Sequence, residues 1–323
     1  MDIEYLLALQ DLRETIGNGI TSVMVFLSHF AVNYLLIFPV LIYWCIDKKK
    51  GLYALVSAGI NICLNSVIKL TACVYRPWIK DARIIPAEKA LKESTGYSFP
   101  SGHATTATSL YGGMAVGYGK KYKWLAAILI LLLVITGFSR NYLGVHTPQD
   151  VVIGHLLGIA GLFGIYMLFK FLDKHPEKED IFLIIGIAFG IGALLYISFK
   201  SYPIDYDAEG TLLVDPVKMK IDGYKDIGMF LAMCIGRFIE NHFIKFSSAG
   251  LNLKGILLSV AGLVPLIIIA KVLPSILIKL LGDTVGPMSG QMLIALYIIA
   301  GWPIIIKLVC GKNKESIAKE TLG

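Results

Sequence analysis

Apolar runs close to 20 residues long recur along the chain, at about 22–46, 52–73, 101–119, 124–139, 150–172, 181–199, 226–244, 254–273 and 289–310. As helices, such runs match the thickness of a bilayer's hydrocarbon core, and a water-soluble domain has no room to bury so many. The sequence therefore predicts an all-α polytopic membrane helix bundle with nine spans. The run at 226–244 is the weakest of them, because Arg237, Glu240, Asn241 and His242 interrupt it. Composition agrees: 56% of the 323 residues are hydrophobic and 16% charged, with a mean hydropathy of +0.69. Soluble domains average about 45–50% apolar and about 25% charged.

Residues 1–21 read differently. Ile3, Leu6, Leu7, Leu9 and Ile16 alternate with Asp2, Glu4, Asp11, Arg13 and Glu14, too charged to span but suited to an amphipathic helix in the interface plane. The start carries neither a basic leader nor a cleavage site, so the first span is expected to serve as its own insertion signal. The division expected is an interfacial helix at 1–21, six spans at 22–199, and an outward loop with three further spans at 200–323.

The formal net charge of +7 sits in short gaps between apolar runs, as membrane topology requires, so nucleic acid is not an expected partner. Lys and Arg in alternate gaps number 15 on one side (Lys48–Lys50; Lys120, Lys121, Lys123; Lys170, Lys174, Lys178; Lys245, Lys254; Lys307, Lys312, Lys314, Lys319) and 12 on the other. The richer set belongs in the cytoplasm by the positive-inside rule. The gaps at 74–100, 140–149 and 200–225 then face outward. Cys45, Cys63, Cys73, Cys234 and Cys310 form no CxxC pair or metal-ligand spacing and read as small apolar packing residues. Gly154, Gly158, Gly161 and Gly164 mark close helix contacts.

Three segments place polar residues at the outward ends of apolar runs. Lys69 and Arg76 are seven residues apart, close to two helical turns, and Pro77 favours ending the helix there. Ser101-Gly102 opens a helix, offering a hydroxyl and unpaired N–H groups to an oxyanion, and His103 follows on the first turn. In the third segment, Ser139-Arg140 precedes His146, and Thr147-Pro148 is a helix start with Asp150 in its first turn. His146 lies close enough to donate to the Asp150 carboxylate, which makes its other nitrogen a better nucleophile. Taken singly, each segment also fits an ordinary helix end or cap.

Together, Lys69-x6-Arg76-Pro77, Pro100-Ser101-Gly102-His103 and Ser139-Arg140-x5-His146-x3-Asp150 resemble the signature of the type 2 phosphatidic acid phosphatase superfamily, the membrane histidine lipid-phosphate phosphatases. The resemblance covers roughly residues 22–199, the six-helix phosphatase core; the three helices after about 200 have no counterpart there. It implies catalysis by His146 as nucleophile, Asp150 as its orienter and His103 as acid and base. Lys69, Arg76, Ser101, Gly102 and Arg140 would bind the phosphate, with no cofactor and no metal. The implied partner is a membrane lipid phosphate substrate, such as a polyprenyl diphosphate, phosphatidic acid or phosphatidylglycerol phosphate, reached from the lipid bilayer. The implied location is the cell membrane, with the site extracytoplasmic; a homodimer is left open. A phosphatase of soluble esters and a lipid transporter with a vestigial site are the competing readings.

Four further features carry weaker expectations. The gap at 78–99 (Trp78, Lys80, Asp81, Arg83, Glu88, Lys89, Lys92, Glu93) reads as a solvated loop before a gate, and the 200–225 gap could cover the site from outside. Arg237 and Glu240, three apart, can pair on one helix face. His155 reads as a helix contact rather than a catalytic group.

Overall fold

The computed structural model describes residues 2–92, 94 and 96–310. Glu93 of the outer gap, and Lys312, Lys314 and Lys319 of the charge count, lie outside the described residues. The helices run α1 (Asp2–Ile16), α2 (Asn18–Asn33), α3 (Ile37–Leu41), α4 (Lys48–Ala72), α5 (Pro77–Lys80), α6 (Glu88–Lys92), α7 (Gly102–Tyr118), α8 (Lys123–Tyr142), α9 (Pro148–Leu172), α10 (Glu179–Phe199), α11 (Pro216–Ile239), α12 (Leu253–Ala261) and α13 (Leu263–Leu296). Among the described residues, seven helical stretches are long and apolar enough to cross a membrane.

That is fewer than nine apolar runs for two reasons. First, α7 has only 17 residues and is mostly buried among its neighbours. Second, the last stretch, Leu253–Cys310, folds back on itself. Gly282 adopts φ 80°, ψ 174° in mid-helix, a conformation only glycine reaches cheaply. A Cβ on Gly286 would lie 2.6 Å from the Ile278 nitrogen, so the two arms pack face to face.

The centre of the bundle is α4. Asp47 caps its start by accepting from the Lys50 N–H, and Cys73 ends it in the left-handed region (φ 48°), donating its N–H to the Lys69 carbonyl. Its polar residues bind across to α7 and α9: Asn61 donates to Ser109 Oγ (2.8 Å) and the Gly158 carbonyl (3.1 Å), and Asn65 donates to Thr105 Oγ1 (2.9 Å). The glycines of α9 permit this closeness. A Cβ on Gly158 would fall 2.6 Å from Thr108 Cβ, and one on Gly161 would fall 1.8 Å from Asn61 Oδ1.

The helices after residue 200 share this core. Leu70 of α4, Ile197 of α10 and Ile227, Phe230 and Leu231 of α11 form one buried cluster. At the end of the bundle where α4 begins, Glu240 is fully buried, paired with Lys48 (2.5 Å) and with Arg237; Arg237 also meets Glu179 at 2.6 Å. The Arg237–Glu240 pair is therefore a tie between α4, α10 and α11. At the opposite end α1 lies against the loops: Arg13 donates to the carbonyls of Tyr142 (3.2 Å) and Ile85, and Gln10 accepts from the Ile85 N–H (2.7 Å).

Candidate active site

The three polar segments converge at the end of the bundle where α4 finishes and α7 and α9 begin. Arg76 is extended (φ −66°, ψ 154°) with Pro77 starting α5, which turns its side chain inward. The guanidinium is buried, donating to the carbonyls of Gly96 (3.0 Å) and Val145 (2.8 Å). Its Nη1 also lies 2.9 Å from His146 Nε2. Arginine nitrogens only donate, so Nε2 accepts and the imidazole carries its proton on Nδ1.

His146 is buried at 1% exposure, and its carbonyl accepts from Asn141 (2.9 Å). Burial first, and the Arg76 guanidinium second, hold its pKa well below the usual imidazole value against the opposing pull of Asp150. The ring is thus neutral at physiological pH, with the Nε2 lone pair facing Arg76. A neutral imidazole with its free lone pair exposed toward a cation is the state a nitrogen nucleophile needs.

The orientation of His146 differs from the sequence-based expectation in one respect. Asp150 Oδ2 stands 3.5 Å from His146 Nδ1, too far for a strong direct hydrogen bond. Ser98 fills the interval: its Oγ donates to Asp150 Oδ2 at 2.6 Å and lies 3.3 Å from His146 Nδ1. Asp150 also accepts from the Thr147 N–H (2.8 Å), completing a reciprocal cap at the start of α9. Ser98 is fully buried and fixed by its N–H to the Val74 carbonyl (2.7 Å). Sequence reasoning missed it, because a lone serine two residues ahead of Pro100 has no spacing signal of its own.

Ser101 caps α7 as expected, accepting weakly from the Ala104 N–H (3.4 Å), and its own N–H donates to the Asp150 carbonyl (2.9 Å). That bond joins the two helix N-termini. Gly102 follows with its N-terminal position open: a Cβ there would approach only Asn65 Oδ1, at 3.7 Å. His103 Nε2 is buried and has no hydrogen-bond partner among the described residues. An imidazole nitrogen in that state is available to a ligand.

The remaining cations are held from outside the motifs. Arg140, at 1% exposure, donates to Ser28 Oγ of α2 (2.5 Å) and Ser94 Oγ (2.7 Å). Lys69 donates to the carbonyls of Pro100 (2.8 Å), Tyr97 (3.3 Å) and Ser98 (3.5 Å), so its ammonium secures the loop that carries Ser98. Ser139 turns away, donating to the Thr136 carbonyl within α8 (2.6 Å). The gap at 78–99 is solvated only in part, since Ser94, Gly96, Tyr97 and Ser98 reach into the site. Leu213, Val214, Asp215, Lys218 and Met219 of the later gap line a cavity with Arg76 and Trp78. His155 bonds Thr108 Oγ1 (2.7 Å) as a helix contact.

Part of the chain is similar to known proteins. The sequence profile of the PAP2 superfamily matches residues 50–174. The chain is 33% identical over 142 residues to an undecaprenyl-diphosphatase of Sulfolobus acidocaldarius, covering 43% of this chain and 66% of the relative. It is 31% identical to phosphatidylglycerophosphatase B of Bacillus subtilis, over 40% of this chain and 60% of the relative. It is 30% identical to the undecaprenyl-diphosphatase BcrC of Bacillus subtilis, over 50% of this chain and 79% of the relative. The chain thus spans less than two thirds of the first two of these relatives. No solved structure matches it.

Proposed function

The chain belongs to the PAP2 superfamily, and from that premise we propose a lipid-phosphate phosphatase that works through a phosphohistidine on His146. It is a multi-pass membrane protein. The observation that carries the reading is the buried imidazole whose Nε2 faces Arg76 while Nδ1 is held by Ser98 and Asp150.

The reaction runs in two displacements. The phosphoryl group settles among Arg76, Arg140, Lys69, the Ser101 hydroxyl and the Gly102 N–H at the positive end of α7. Arg76 turns from Nε2 to a phosphate oxygen, which frees the lone pair for attack on phosphorus. The bond to the leaving oxygen breaks, and His103 supplies that oxygen with a proton. His103 then takes a proton from water, whose oxygen attacks the phosphohistidine and releases inorganic phosphate and neutral His146. Because phosphoryl transfer asks mainly for positioning and charge neutralisation, three cations and a helix terminus suffice without a metal.

Substrates are lipid phosphates or diphosphates: a polyprenyl diphosphate, phosphatidic acid or phosphatidylglycerol phosphate. The site lies on the extracytoplasmic side, by the Lys and Arg bias of the gaps. Exposed apolar side chains such as Phe163, Ile184 and Phe199 let the lipid chains stay in the bilayer while the headgroup reaches His146. The test is inorganic phosphate release by the purified protein in detergent with a chelator present, across those three lipids and a hexose phosphate. Release from lipids is expected. Release from the hexose phosphate alone would assign a soluble-ester phosphatase, and no release from any substrate would overturn the reading.

A further inference from the structure

Helix α11 lies outside the stretch that matches the family, yet its first turn reaches the loop that orients two of the site's cations. Asp215 starts the helix by accepting from the N–H groups of Val217 (2.8 Å) and Lys218 (3.3 Å), with Pro216 as its first residue. From there Met219, Gly223, Ile227 and Phe230 follow at helical spacing and make one stripe. The stripe seats α11 on its neighbours. Met219, Ile227 and Phe230 are buried in one cluster with Leu70 of α4 and Ile197 of α10, and a Cβ on Gly223 would lie 2.6 Å from Leu70 Cδ1.

Met219 stands at the site end of this stripe, 5% exposed, and lines two cavities. One is bounded also by Lys69 and Gly102, the other by Arg76 and Gly96. Its sulfur rests on Gly96. That residue has φ 80°, a conformation suited to glycine, and a Cβ on it would collide with Met219 Sδ. The thioether therefore packs on bare backbone, where an unbranched, adaptable side chain fills the space. The segment beneath it supplies carbonyls to both cations. Gly96 accepts from Arg76 Nε at 3.0 Å, and Tyr97 and Ser98 accept from Lys69 at 3.3 and 3.5 Å. With no side chain of its own, Gly96 is placed only by its backbone and by what packs on it.

We propose that Met219 is a positioning residue for the phosphate site: packed on Gly96, it holds residues 96–98 where their carbonyls orient Arg76 and Lys69. A helix that follows the family core is thereby part of the phosphate-binding apparatus. This inference rests on the reading above, in which those two cations hold the phosphoryl group.

The experiment measures kcat, KM and inhibition by inorganic phosphate for the full chain in detergent, with the most active of the three lipids as substrate. Met219→Ala should raise KM and the Ki of inorganic phosphate together, each about tenfold, because displaced cations lose their geometry on the phosphate oxygens. Met219→Leu, close in volume, should keep both within about threefold of wild type. If Met219→Ala does not fold, Met219→Val, apolar and ending short of the sulfur's position, makes the same comparison. A fall in kcat or in folded protein with KM and Ki unchanged would make Met219 a packing residue only and overturn the inference. An alanine variant equal to wild type would overturn it too. Either result leaves the phosphatase reading in place, whereas a wild type that releases no phosphate from any of the lipids would overturn that reading itself.

Discussion

At the scale of single residues, the setting of His146, the proposed nucleophile, depends on a side chain that the motifs do not include. Ser98 stands between His146 and Asp150, so the carboxylate acts on the imidazole partly through a hydroxyl. Removing it leaves Asp150 with its Thr147 bond and a gap toward Nδ1. Loss of one buried hydrogen-bond partner costs about 1–3 kcal/mol, which in the transition state is roughly 5- to 150-fold in rate. Ser98→Ala should therefore lower kcat by that factor with KM nearly unchanged, measured as phosphate release. A KM effect with kcat intact would place Ser98 in substrate binding instead. The three polar segments that meet at the site were legible as outward ends of apolar runs, while the roles proposed for their residues came from the family resemblance. Ser28, Ser94 and Ser98 were not: each reaches the site only through packing between distant segments.

At the scale of elements, the starts of α7 and α9 were legible, since Ser101 and Thr147-Pro148 are capping sequences that need no tertiary help. The reversal at Gly282 falls in the gap expected between the runs at 254–273 and 289–310, although nothing in that gap singled out the glycine as the turning point. The ion cluster at the other end shows how the later helices are joined to the core. Glu240 is fully buried between Lys48 and Arg237, and its removal leaves Lys48 with the Phe246 carbonyl alone while Arg237 keeps Glu179. Breaking a buried pair costs about 3–5 kcal/mol, and the surviving Glu179 contact puts Glu240→Ala near about 3 kcal/mol. Denaturant unfolding in detergent should show that loss, with phosphate release per folded molecule unchanged. A loss below about 1 kcal/mol would mean the cluster is incidental.

At the scale of the whole molecule, the bundle has two chemically distinct ends. Lys69, Arg76, His103, Arg140 and His146 gather at one, and the Lys48–Glu240–Arg237–Glu179 cluster closes the other. The 25 residues of α4 separate them by about 37 Å at 1.5 Å per residue, the span of a membrane. The all-α bundle was legible from run length alone, whereas the sharing of one core by residues before and after 200 was not, because contact between helices leaves no mark in hydropathy. The proposed orientation rests on the Lys and Arg bias. In intact cells, a membrane-impermeant maleimide should label Ile204→Cys, exposed in the 200–225 gap, and should label Lys121→Cys only after lysis. The reverse pattern would put the site in the cytoplasm.

The most direct test of the covalent mechanism is to trap the intermediate. The protein is mixed with a lipid phosphate labelled in its phosphoryl group, quenched in base within a turnover and mapped by mass spectrometry. A phosphoryl group on His146 is expected, stable to base and labile to acid, enriched in His103→Asn and absent from His146→Ala. Turnover that continues in His146→Ala, or phosphate release with no label ever found on His146, would contradict the mechanism.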